Sequence, residues 1–303
     1  MNFRNILSEI EKTDPEVYER LSDRRHILKG FGAKVAVAAL PLAIGSLFKK
    51  AYGKSTDAVT AALNFALELE YFEFNFFHIA NNVTGLGLIP TVDQPGFQMI
   101  ETQEKAHVNF LIATITALGG TPFTPNHYAA ANSVPPYIPA AYDFTGAAST
   151  AYYPVFANVF NDYPTFLIAA QTFEDTVVRA YNGQMTNLLG NSLFTQVQQL
   201  LATEGRHAAY IRLIRRNMGA TEIPAPWINN NIPPTSPVPG SINVLQPFYI
   251  GEDNATQLNV TITSLPDGIG TVPEWSATAA FDEPLSQAAI TGIGGLLTPF
   301  ILS

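Results

Sequence analysis

Two tetrapeptides carry residue types suited to metal chemistry: Glu104-Lys105-Ala106-His107 and, about a hundred residues on, Glu204-Gly205-Arg206-His207. On a helix, residues i and i+3 share a face. Each motif therefore projects a carboxylate and an imidazole together, one turn apart. One Glu-x-x-His is weak evidence. With 15 Glu in 303 residues, each His has a roughly 5% chance of a Glu three positions earlier, so two such pairs are uncommon by accident. Each motif also follows another helical segment with a Glu on its apolar face, Glu70 in one case and Glu174 in the other. Two lone Glu and two Glu-x-x-His are the ligand pattern of bundles that bury a pair of metal ions.

Four helices must position these residues. The first runs from about Ser55 or Thr56 to about Asn81, with Leu63, Ala66, Leu67, Phe74 and Phe77 on a 3.6-period stripe that includes Glu70. Ser55 or Thr56 is its expected N-cap. The second starts near Pro95 and stops at Gly119-Gly120. The third spans about Pro164 to Asn187, and the fourth about Leu193 to Met218, closed by Gly219. Residues 121–162 hold many Pro, Tyr, Ala and Asn and no long helical period. Such a stretch suits a crossover along a bundle whose second and third helices run parallel.

An internal repeat selects among the carboxylates. Helices one and two overlay helices three and four, with Glu70 on Glu174, Phe77 on Tyr181, Glu104 on Glu204, His107 on His207 and Phe110 on Tyr210. Glu73 shares a face with Glu70, but its counterpart is Val177. Glu101 faces Leu201, and Glu68 faces Thr172 off the stripe. The symmetric set is therefore Glu70, Glu104, His107, Glu174, Glu204 and His207. Glu104 and Glu204 take the bridging places and the others the terminal ones. His78, His127 and His26 have no such partner pattern. Tyr71, Tyr181 and Tyr210 read as core aromatics, with Tyr181 and Tyr210 also candidates for one-electron chemistry beside the metals.

Four carboxylates supply about four negative charges, which two divalent cations neutralise. Without metal, four carboxylates on an inner bundle face are costly. Oxygen and nitrogen donors suit iron and manganese, and zinc also fits. The competing explanations are a structural polar network and a bundle that has lost its metal.

Composition narrows the field. Apolar residues make up 47% and charged residues 14% of the chain, which predicts a sizeable core. A net charge of -9 argues against nucleic acid and anionic membrane surfaces as main partners. The chain has no cysteine, which excludes thiolate sites and disulfides.

The organisation predicted is an export signal or N-terminal tail at 1–54, a four-helix bundle at 55–220, and a proline-rich wrap and C-terminal extension at 221–303. Arg24-Arg25 followed by Leu28-Lys29, then the apolar stretch Val35–Phe48, resemble a twin-arginine export signal. Asp23 before the arginines and a long acidic lead depart from that pattern. The apolar stretch is too short for a membrane span. The expectation is export to the periplasm or cell envelope, or a cytoplasmic location if the segment is an ordinary amphipathic helix. In the extension, Gln257–Leu265 alternates like a strand and Pro284–Gly295 reads as a short helix.

The stretches Leu63–Tyr71, Glu104–His107, Gln171–Glu174 and Ala280-Phe281-Asp282-Glu283-Pro284-Leu285 resemble the ferritin-like family that includes plant desiccation-related proteins and bacterial exported proteins. The resemblance covers roughly residues 56–300. It implies an all-α, ferritin-like four-helix bundle with one long crossover and a potential dimetal site, but no settled reaction. Two functions are carried forward. One is a stress-protective protein with an iron or manganese pair reacting with dioxygen or peroxide, in the manner of a ferroxidase, catalase or peroxidase. The other is a metal-free envelope scaffold. The oligomeric state is left open, although the long crossover and tail argue against a hollow storage shell.

Overall fold

The computed structural model describes residues 55–83, 87–130, 133–147, 154–220, 226–235, 243–267 and 270–302. The twin-arginine and tail readings of 1–54 lie outside these residues, as do parts of the proline-rich wrap. The bundle consists of α1 (Thr56–His78), α2 (Gln94–Ala117), α3 (Tyr163–Leu188) and α4 (Phe194–Asn217). No helix among the described residues is long and apolar enough to cross a membrane.

The expected boundary signals operate. Ser55 accepts from the Ala58 N–H and caps α1, and Asp162 accepts from the Thr165 N–H and caps α3. Pro95 and Pro164 occupy first-turn positions that need no N–H. Gly119 and Gly219 take φ of +80° and +93° just beyond α2 and α4, where a side chain would be strained. At its C-terminus α1 loosens into a π-helical turn, Ile79–Val83.

Side-chain bonds fix the helix directions. The Asn64 side chain, early in α1, donates to Thr121 O beyond the end of α2. Asn81, past the end of α1, donates to Phe97 O near the start of α2. These two helices are therefore antiparallel. Arg212 meets Asp175 while Arg215 meets Gln171, so α3 and α4 are antiparallel too. The Tyr163 hydroxyl, at the start of α3, donates to Asp93 at the start of α2. Those two helices thus begin at the same end and run parallel, which is why the chain between them must travel the length of the bundle.

That crossover is packed rather than draped. Phe144 and Phe156 are buried with Phe72, Phe76 and Phe173, in rings mostly edge-on or tilted at centroid separations of 4.9–6.3 Å. Each fully buried Phe contributes roughly 1.5–3 kcal/mol. Nearly every residue of α1 from Leu63 to Phe77 is buried. A helix apolar all round needs cover on every side, and the crossover and the C-terminal extension supply the outer one.

The extension departs from its sequence reading in one place. Gln257–Leu265 is not a single strand. Thr256–Gln257 pairs antiparallel with Val260–Thr261 across a tight turn, and a 3₁₀ turn follows at Ile262–Ser264. Leu258 and Asn259 both take positive φ at that turn, and Leu258 is fully exposed. Alternation alone did not reveal the reversal, because Leu258 looked like an inward residue. Short helices α5 (Glu274–Thr278) and α6 (Gln287–Thr291) complete the extension.

The extension is clamped onto α3. Arg179, 1% exposed, donates to the carbonyls of Glu283, Phe248 and Ile250 at 2.8, 2.5 and 2.7 Å and pairs with Glu252 at 2.6 Å. The Leu285 N–H donates to Arg179 O. One turn on, Gly183 leaves room for this segment: a Cβ there would sit 1.9 Å from Leu285 O. Gly183→Ala would gain roughly 1 kcal/mol in helix propensity, yet the overpacking costs about 1–3 kcal/mol. The expected result is a lower urea midpoint and faster proteolysis beyond Ala280. A rise in midpoint would refute the clamp.

Candidate metal centre

The six symmetric residues converge inside the bundle. α1 contributes Glu70, α2 contributes Glu104 and His107, α3 contributes Glu174, and α4 contributes Glu204 and His207. The four carboxylates are fully buried and the imidazoles nearly so. The donor atoms form two groups, each within 4.8 Å: Glu70, Glu104, His107 and Glu204 in one, and Glu104, Glu174, Glu204 and His207 in the other. Glu104 and Glu204 belong to both.

The shared carboxylates are oriented accordingly. Glu104 turns Oε2 to His107 Nδ1 at 3.4 Å and Oε1 to His207 Nδ1 at 2.8 Å. Glu204 turns Oε1 to His107 Nδ1 at 3.0 Å and Oε2 to His207 Nδ1 at 3.2 Å. Each thus gives one oxygen to each histidine. The terminal carboxylates lie to the sides, with Glu70 Oε2 3.1 Å from His107 Nδ1 and Glu174 Oε1 3.6 Å from His207 Nδ1. The two imidazole rings are 6.3 Å apart and nearly parallel.

These contacts are close, yet most lack hydrogen-bond geometry. Both side-chain oxygens of Glu104, Glu174 and Glu204, together with His207 Nδ1, are buried without a hydrogen-bond partner. Native interiors seldom leave so many polar atoms unsatisfied in one place. Carboxylate oxygens and imidazole lone pairs converging on two points fit metal ions, and these buried groups are positioned to hold one.

Electrostatics describe the same cluster in its metal-free form. Burial, then the Glu204 charge, drives the Glu70 carboxyl well above the usual range, against the pull of His107. Burial pushes Glu174 up to about 8, although His207 opposes it. Burial works to raise Glu104 too, but the charge of His207 and the close approach of both imidazoles outweigh it and the group falls below the usual range. Both imidazoles are desolvated, which lowers them, yet the negative charge around them, Glu70 first for His107 and Glu174 first for His207, raises both above their ordinary value.

Surrounding residues set the donors' orientation. His207 Nε2 meets Gln103 Oε1 at 2.7 Å, a contact that holds the ring with Nδ1 turned to the cluster. The Tyr181 hydroxyl donates to Glu70 Oε1. Of the two tyrosines considered from sequence, Tyr181 therefore lies at the cluster, whereas Tyr210 packs on Phe97 near Gly96. Gln103 carries no sequence signal, since its counterpart in the repeat is Thr203. Glu73, set aside by the repeat, is fully buried and interacts with Glu174, Glu204, Glu104 and Glu70. His78 is not partnerless: its Nδ1 lies 2.7 Å from Glu101, which also accepts from Asn81 and Asn82. That group belongs to the α1–α2 end of the bundle. Glu68 faces the extension, accepting from Thr291 of α6 at 3.5 Å.

A four-helix bundle with carboxylates and histidines gathered on its inner faces defines a class of helical metal-site proteins. The sequence model described as ferritin-like domain matches residues 58–217, more than half of the chain. The chain belongs to the ferritin-like domain family. No curated protein matches it.

The cluster predicts a pH dependence for the metal-free protein. A carboxyl raised by folding, such as Glu174, favours the fold below its ordinary value of 4.5, and that contribution is lost as pH rises to about 8. Raised imidazoles act in the same direction above their ordinary 6.5. Thermal melting of chelator-treated protein should therefore fall from about pH 5 to about pH 8. Glu174→Gln should flatten that slope; an unchanged slope would refute the assignment.

Proposed function

We propose that this chain is a dimetal carboxylate protein whose metal pair, iron or manganese, reacts with dioxygen or peroxide. The observation that carries the reading is the orientation of Glu104 and Glu204, each with one oxygen toward His107 and the other toward His207. A carboxylate shared between two ions presents its oxygens in this way. Glu70 and His107 would complete one position, and Glu174 and His207 the other. Zinc fits the same donors but would not supply redox chemistry.

A bound iron or manganese pair would supply electron transfer to the oxidant. The chain's own residues do the rest. Tyr181 fixes Glu70, and Gln103 fixes His207. Phe72, Phe76 and Phe173 form the packed apolar core between α1 and α3. His107, 7% exposed against zero for the four carboxylates, is the least buried of the six groups. Ferroxidase-like turnover would take ferrous ion as substrate, and a catalase-like activity would release oxygen from peroxide. Such chemistry suits a stress-protective role outside the cytoplasm, with residues 1–54 acting as a twin-arginine export signal.

A second reading makes the bundle a metal-free scaffold in the cell envelope. It is favoured by exposed aromatics outside the bundle, Trp227 and Trp275 among them, each about half exposed. Elemental analysis of protein from its native compartment separates the two. About two iron or manganese ions per chain are expected, absent from the Glu104→Ala Glu204→Ala variant, with peroxide or ferrous turnover lost as well. An intact fold without metal would overturn the first reading, and an unchanged cellular phenotype in the double variant would favour the second.

A further inference from the structure

We propose that Glu73 is an additional metal ligand, serving the Glu174–His207 position; the inference rests on the dimetal reading above. Glu73 lies one turn beyond Glu70 on α1 and is fully buried. Both its oxygens lack a hydrogen-bond partner among the described residues. It also differs from the other buried acids in having no basic group within ion-pair distance among those residues. Glu252 has an unbonded oxygen too, but its other oxygen pairs with Arg179. Asp175 is held by Arg212 and Tyr249. A carboxylate sealed from water with neither a donor nor a cation is among the costliest groups a core can contain.

Its surroundings indicate what would compensate that cost. The strongest charge neighbour of Glu73 is Glu174, followed by Glu204, Glu104 and Glu70. Three of these form the second donor group with His207. Glu73 lies outside the 4.8 Å groups themselves, so coordination would require its side chain to turn toward Glu174, its strongest charge neighbour. The repeat supports a role beyond packing. Val177 fills the corresponding place on α3, so an apolar side chain suits that helical position in the other half. On the opposite side of the cluster, Tyr181 donates to Glu70, where the repeat has Phe77. The halves thus differ in kind: one position has a phenol bonded to its terminal carboxylate, and the other has a spare carboxylate.

The test uses Co2+ as probe, titrated into chelator-treated full-length protein and followed by calorimetry and ligand-field absorbance. Wild-type protein should show two binding events. Glu73→Gln and Glu73→Val should weaken one of them about 10-fold or more and alter its absorbance, leaving the other within about 2-fold. Glu73→Asp should recover part of the loss. Metal-free Glu73→Val should melt at or above the wild-type temperature, which separates lost coordination from a damaged fold. Two wild-type-like events with an unchanged spectrum in Glu73→Gln would overturn this inference alone. No Co2+ binding by the wild-type chain would overturn the dimetal reading together with it.

Discussion

Mutual repulsion among buried carboxylates is the constraint on which the structure depends. Glu70, Glu73, Glu104, Glu174 and Glu204 all lie fully out of water within one bundle. Two imidazoles, one phenol and one amide do not balance five such groups. In the chain without metal, burial and mutual charge raise Glu70, Glu73 and Glu174, and the carboxylates around them raise both histidines. This arrangement costs stability and leaves many oxygens unbonded. A core that tolerates it must obtain its stability elsewhere. The dense aromatic packing of α1, α3 and the crossover is where that stability resides.

The same constraint explains the covered exterior. A site of this kind needs walls that keep water from the carboxylates, and α1 carries Phe72 and Phe76 of that wall alongside Glu70 and Glu73. Four helices alone would leave the outer side of α1 wet. Phe144 and Phe156 from the crossover and Phe300 from the C-terminal end close it.

Much of this was legible in the sequence because it is local or repeated. Helix ends were set by Ser55, Pro95, Pro164, Gly119 and Gly219, whose effects act within a turn. The six convergent residues followed from Glu-x-x-His spacing and from the match between halves. What symmetry could reveal, it revealed; what broke symmetry was missed. Glu73 was set aside because Val177 stands opposite, and Gln103 passed unnoticed because Thr203 does. His78 found Glu101 across the helix pair, a contact that no short-range pattern encodes. The hairpin at Leu258-Asn259 escaped because its turn uses two left-handed residues without glycine. Arg179 offered no hint of its role, since its partners lie about seventy to a hundred residues away.

Arg179 bears on where the molecule ends as a cooperative unit. Family kinship covers residues 58–217, which suggests a free-standing bundle with an appendage. Yet a guanidinium from the middle of α3 satisfies three carbonyls of the extension, and Leu285 returns a bond to that same residue. At the far end, the Leu302 N–H donates to Ala141 and its carbonyl accepts from Asn126, both in the crossover. Removing the extension would strand a buried cation inside a helix. The lineage boundary and the folding boundary are therefore different lines on this chain, and a fragment cut at the first would lack the counterpart of its own interior.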